Sequence, residues 1–198
     1  ASARGAGPFA RSEDFPQTVR LGPDLLALEG AHAGRTVHVL GNGPSLARTD
    51  LAALAGEPVV GVNAATLALP RLGRPFDLYC VSDRRFLAAP AGRAQAAAAA
   101  GAPRLFAGYC DGFLADADIH YVRILPGDGA SLDLRAGLHH GCSVVLFAAQ
   151  AAAWTGAAEV RLHGMECDYR AGRFDPRAGG GRPPDRGLYP RLSACARA

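Results

Sequence analysis

The residues best placed to do chemistry sit in short polar runs, each directly after an apolar one. Gly41-Asn42-Gly43-Pro44-Ser45 follows Val37-His38-Val39-Leu40, and Asn63 follows Val59-Val60-Gly61-Val62. Ser82-Asp83-Arg84 follows Phe76–Val81, and His163-Gly164-Met165-Glu166 follows Glu159–Leu162. A β-branched run entering a tight glycine turn that opens a helix is how a nucleotide-binding α/β domain begins, with free backbone N–H groups facing a phosphate. Here the turn ends in Ser-Leu, where a P-loop has Gly-Lys-Ser/Thr. The chain contains no lysine, so all 21 basic residues are arginine. A lysine-dependent phosphate loop and a lysine Schiff base are therefore excluded. The dinucleotide fingerprint G-x-G-x-x-G also fails, because Leu46 takes the third glycine and Asn63 stands where an acidic residue would read the ribose.

Other residues offer further chemistry. His139 and His140 lie directly before Gly141-Cys142-Ser143 and are candidates for a general base near neutral pH. Cys142 beside them invites a thiol nucleophile, although no third orienting group can be named. Asp116-Ala117-Asp118 has the form of a D-x-D metal site, but it precedes a strand instead of following one. Blander roles stand beside each reading. The two glycines could serve only a tight turn and Asn63 a local one. His139 and His140 could be a solvated pair, His163 a satisfied interior histidine, and the arginines of Arg170–Arg186 a solvated loop.

The elements that must position these residues alternate strand with helix. Strands are predicted at Thr36–Leu40, Val59–Val62, Phe76–Val81, Arg104–Ala107, His120–Leu125 and Glu159–Leu162. A short helix is predicted within Pro44–Ala55, with Asp50 capping its last turn, and a helix or loop over Ala64–Leu72. Alanine-rich Arg84–Ala100 reads as one helix. Ser143–Thr155 reads as another, capped by Ser143, closed by Gly156 and burying Trp154. Leu188–Ala198 looks helical, and Arg170–Gly187 reads as a mobile loop. The pattern predicts an α/β fold: a single Rossmann-like domain with a mostly parallel sheet and helices on both faces. In such a sheet, ligands sit beyond the carboxyl ends of the strands.

Composition bounds the rest. A chain of 198 residues with 49% hydrophobic and 20% charged content suits one globular domain, taken as residues 21–198 behind a flexible arm at 1–20. A net charge of +3 gives no case for nucleic acid. The five cysteines are scattered without Cys-x-x-Cys, which suits reduced thiols in a cytoplasmic protein. No stretch is long and apolar enough for a membrane span, and Ala1–Gly7 lacks a signal-peptide core.

Gly-Asn-Gly-Pro-Ser-Leu at 41–46 resembles the opening of the sialyltransferases of glycosyltransferase family forty-two. It is also similar to a wider group that includes motility accessory factors and a pterin pyrophosphokinase. Val60–Asn63, Gly141-Cys142-Ser143 with its apolar helix, and Glu159–Glu166 (a match to E-I-x-L-x-G-[I/M]-D) agree in order, and Phe174-Asp175 has a counterpart downstream. The resemblance spans about residues 36–175.

It implies a nucleotide-sugar-binding variant of the fold and a metal-independent transferase. The donor would be a CMP-activated acidic sugar and the acceptor a cell-surface glycan, with no separate cofactor. It further implies nucleotide contacts from Gly41, Asn42, Gly43, Ser45, Asn63, Asp83, Ser143 and Gly164, and a phosphate-bonding role for Tyr169. The family's histidine after the last matched strand has no counterpart, since Arg170–Ala198 contains none. His139 and His140 are thus the candidate bases. The family also has a further strand beyond the last helix, so the domain could be truncated at Ala198. Two alternatives stay open: a magnesium-dependent phosphoryl or pyrophosphoryl transferase acting on a small heterocycle through Asp83, and a non-catalytic nucleotide-binding module. Peripheral membrane association and a homo-oligomer are left open as well.

Overall fold

A computed structural model describes residues 15–140 and 143–166. Eight strands are present among them: β1 Thr36–Leu40, β2 Val59–Val62, β3 Leu78–Val81, β4 Arg104–Ala107, β5 Ile119–Val122, β6 Ile124–Leu125, β7 Leu138–His139 and β8 Glu159–His163. Six of them form one parallel sheet in the order β5-β4-β3-β2-β1-β8, and β6 and β7 form a separate parallel pair. The fold is α/β and Rossmann-like, as the alternation predicts. β2, β3, β4 and β5 are buried along their whole length, as strands covered on both faces must be.

The helices are α1 Pro23–Leu26, α2 Leu69–Leu72, α3 Arg84–Ala88, α4 Pro90–Ala98 and α5 Val144–Trp154. From β1 to β5 each connection steps one strand in the same direction. The chain then returns through α5 to place β8 on the other side of β1. Right-handed crossovers put those two sets of connections on opposite faces. The order therefore reverses between β1 and β8. In open α/β sheets, ligands bind beyond the carboxyl ends of the strands at such a reversal.

Four expectations are corrected. The single helix over Arg84–Ala100 is two helices, because Pro90 has no N–H to donate and holds Ala89 extended at φ −78, ψ 135. The strand His120–Leu125 breaks at Arg123, whose carbonyl accepts from Leu138 and sends β6 to pair with β7. The helix in Pro44–Ala55 is two 3-10 segments, Pro44–Arg48 and Ala52–Leu54, with Asp50 accepting from the Ala53 amide as predicted.

The fourth correction concerns the arm drawn at 1–20, which ends earlier. Arg20 and Tyr121 exchange backbone hydrogen bonds of 2.8 and 2.7 Å, and the Thr18 amide donates to Gly108. The Arg20 guanidinium reaches the Ile119 carbonyl at 2.8 Å and lies over the Tyr121 ring. Residues 15–20 thus close the β5 edge of the sheet. The predicted C-terminal loop and helix lie outside the described residues.

Candidate functional site

The glycine turn after β1 is built against the turn after β8. Gly41 N–H donates to the His163 carbonyl at 2.7 Å, Gly43 N–H to the Gly164 carbonyl at 2.8 Å and Ser45 N–H to Glu166 Oε1 at 2.8 Å. Leu46 N–H donates to Gly43 at 3.1 Å. This corrects the expectation of free amides awaiting a phosphate: these four are engaged, one of them by a carboxylate. The glycines follow from the same packing. A Cβ on Gly43 would lie 1.7 Å from Glu166 Oε2 and 2.7 Å from the Gly164 carbonyl oxygen. Gly164 itself adopts φ +66, a left-handed turn that glycine enters without strain.

The neighbouring strand ends carry buried polar atoms with no hydrogen-bond partner among the described residues. They include Asn42 Oδ1 after β1, Asn63 Oδ1 and Thr66 Oγ1 after β2, and Ser82 Oγ after β3. Asn42 is 6% exposed and Ser82 2%. A buried polar atom without a partner costs about 1–3 kcal/mol, so several along one edge of a sheet point to a role beyond stability. Asn63 also sits at φ +46, the one non-glycine residue with positive φ among those described. Its carbonyl accepts from the Tyr79 hydroxyl at 2.7 Å, which holds the turn in place.

The β3 side of the site has different chemistry. Asp83 caps α3, its Oδ1 accepting from the Arg85 amide at 2.8 Å. The Tyr109 hydroxyl donates to the Ser82 carbonyl at 2.7 Å, and the Ser82 backbone lies beside the His140 ring. The Tyr109 and His140 rings meet edge to face, 6.3 Å apart. Burial holds the His140 pKa below the usual imidazole value, partly offset by the neighbouring Ser82 backbone and the Asp83 charge. The Arg84 guanidinium lies over the Phe15 ring at 4.3 Å and the Phe113 ring at 5.1 Å, and it donates to the Tyr109 carbonyl. α5 begins beside His140: the Ser143 amide donates to the His140 carbonyl at 3.2 Å, and the Ser143 hydroxyl caps Val145.

His139 and His140 do not act as a pair. His139 Nδ1 turns toward the Gly127 carbonyl at 3.2 Å, while its backbone is pinned on both sides by Gln150. His163 is held by His38, with Nε2 and Nδ1 2.9 Å apart, and burial lowers both pKa values. Asp116-Ala117-Asp118 is a structural turn. Asp116 accepts from the Asp118 amide at 3.0 Å and pairs with buried Arg104 at 2.5 Å, at the amino ends of β4 and β5. Among the described residues no three His, Cys, Asp or Glu side chains gather as a metal cage would. Trp154 is buried in the core, as are the free thiols Cys80 and Cys110, and burial pushes both thiol pKa values up. Tyr169, Gly141, Cys142, Cys167 and Cys195 lie outside the described residues.

The structure thus brings Asn42, Asn63, Asp83, Ser143 and His140 to one edge of the sheet. It engages the backbone amides of Gly41, Gly43 and Ser45 and the Gly164 carbonyl in the turn-to-turn contact, and it turns His139 elsewhere. Sequence reasoning placed Arg84 and Glu166 in polar runs after strands without a specific role, and it passed over Tyr109. Tyr109 had a weak signal, since Gly108-Tyr109-Cys110 directly follows β4 as the other polar runs follow theirs. Among the described residues no helix is long and apolar enough to cross a membrane. No family model, curated protein or solved structure matches the chain.

Proposed function

We propose that this chain is a transferase that moves an acidic sugar from a CMP-activated donor to a hydroxyl of a glycan acceptor. The carrying observation is the set of unpartnered buried side chains Asn42, Asn63 and Ser82 on three successive strand ends, with His140 and the start of α5 beside them. A row of buried polar atoms at the carboxyl ends of neighbouring parallel strands suits a small polar ligand such as a nucleotide. The guanidinium of Arg84, fixed between two rings, and the amino end of α5 supply positive potential on the β3 side, where the acidic groups of the donor would lie.

In this reading the acceptor hydroxyl attacks the anomeric carbon as its bond to the phosphate oxygen breaks. CMP leaves with the bonding pair, and His140 takes the hydroxyl proton. A neutral imidazole carries a lone pair on one ring nitrogen, which is what accepts that proton. A lowered pKa keeps that nitrogen unprotonated at neutral pH, as a general base requires. Arg84 and the α5 amides would stabilise the charge left on the phosphate.

The test is a ligand panel on the purified chain. CMP at millimolar concentration should raise the melting temperature more than UMP, AMP or GMP does. No response to CMP overturns the reading. A response to ATP with magnesium in its place would favour phosphoryl transfer through Asp83.

A further inference from the structure

Building on that reading of the site, we infer that the part of the ligand seated at the ends of β1 and β2 is a vicinal diol of a pentose or other sugar, and not a phosphate. The orientation of the Asn42 amide is fixed by its surroundings. Nδ2 donates to the Val62 carbonyl at 3.4 Å, and the flipped amide would set two carbonyl oxygens against each other. Oδ1 is thereby left buried and facing no donor among the described residues.

The next strand end repeats the feature with Asn63 Oδ1. Both atoms accept hydrogen bonds and cannot donate them. They belong to hydrogen-bonded neighbouring strands, which run about 4.8 Å apart. Two hydroxyl groups on adjacent carbons present two donors on that scale.

A phosphate at this position would bring only acceptor oxygens against the Asn42 carbonyl oxygen. Four amides of the glycine turn, those of Gly41, Gly43, Ser45 and Leu46, are already engaged, and the group on Ser45 N–H is the Glu166 carboxylate. The nearest charge to β1 is the Glu166 carboxylate, whereas beyond β3 the Arg84 guanidinium and the α5 start stand beside Asp83. A nucleotide would therefore lie with its ribose hydroxyls over β1 and β2 and its acidic groups over β3 and α5.

The experiment measures binding to the full chain by calorimetry for cytidine, adenosine, their 2′,3′-dideoxy counterparts, CMP and inorganic phosphate. The nucleoside that binds should bind about a hundredfold more tightly than its dideoxy form, the effect of two lost neutral hydrogen bonds. Ten millimolar phosphate should not displace it. Equal affinity for the dideoxy form overturns the diol, and displacement by phosphate overturns the orientation. If adenosine binds and cytidine does not, the CMP reading falls while the diol is still decided by the adenosine pair. If neither nucleoside binds, both readings fall.

Discussion

At the scale of single residues, the turn-to-turn contact makes the sharpest demand on sequence. Gly43 has no room for a side chain, because Gly164 and Glu166 occupy the space a Cβ would take. Gly43→Ala should therefore destabilise the fold by about 1–3 kcal/mol, the usual penalty for overpacking, read as a lower urea midpoint. Adding Glu166→Ala should restore only part of the loss, since the Gly164 backbone oxygen would still lie 2.7 Å from the new Cβ. Full recovery in the double variant would show that the carboxylate alone sets the constraint. The rim behaves in the opposite way. Asn42 Oδ1 has no partner among the described residues, and in the proposed function a ligand supplies one.

At the scale of elements, the strap of residues 15–20 belongs to the domain. It pairs with β5, and Phe15 lies against Arg84 and Tyr109. Deleting residues 1–20 should lower the melting temperature by several degrees, since about 1–3 kcal/mol of paired backbone and Arg20 contacts is lost and each kcal/mol shifts a domain of this size by roughly 2–4 °C. An unchanged melting temperature would show that the strap adds nothing.

The sequence made some elements legible and hid others for identifiable reasons. β2 and β4 occupy the predicted residues because each is a short run that starts directly after a proline, Pro58 or Pro103, and is apolar throughout in β2 and after Arg104 in β4. Ser143 is visible as a cap because capping is local. Pro90 was equally local, but the alanine-rich stretch around it masked the break. The strap was not legible, because its partners lie about a hundred residues away and its composition reads as loop. The same holds for the site. Polar residues after apolar runs located Asn42, Asn63 and Asp83, while the engagement of the Ser45 amide by Glu166, 121 residues away, emerges only in three dimensions.

For the whole molecule, the histidines set the response to acid. Burial lowers the pKa values of His32, His38, His140 and His163 in the folded chain. A group with a folded pKa below its unfolded value contributes stability that is fully present above the unfolded value, here about 6.5, and lost as pH falls through the folded one. The His38–His163 bond follows the same course, because two protonated rings cannot share an N–H···N bond. His32 adds a buried case: the Thr155 hydroxyl donates to the Ala152 carbonyl, so His32 Nδ1 must donate to Thr155. The urea midpoint should be level from pH 8 to about 7 and fall steadily from about 6.5 downward. A midpoint unchanged down to pH 5 would contradict these assignments.

The claim on which the functional reading rests is that the polar rim is kept for a ligand at a cost to the empty fold. Comparing the melting temperature of the native chain with that of Asn42→Leu, each with and without CMP, tests it most directly. Without ligand the variant should be about as stable as the native chain, because replacing an unpartnered buried acceptor with an apolar group of similar size offsets the loss of the long 3.4 Å bond to the Val62 carbonyl. With CMP the native chain should shift upward and the variant should not. A variant that melts well below the native chain without ligand, or one that keeps the full CMP shift, would contradict the account.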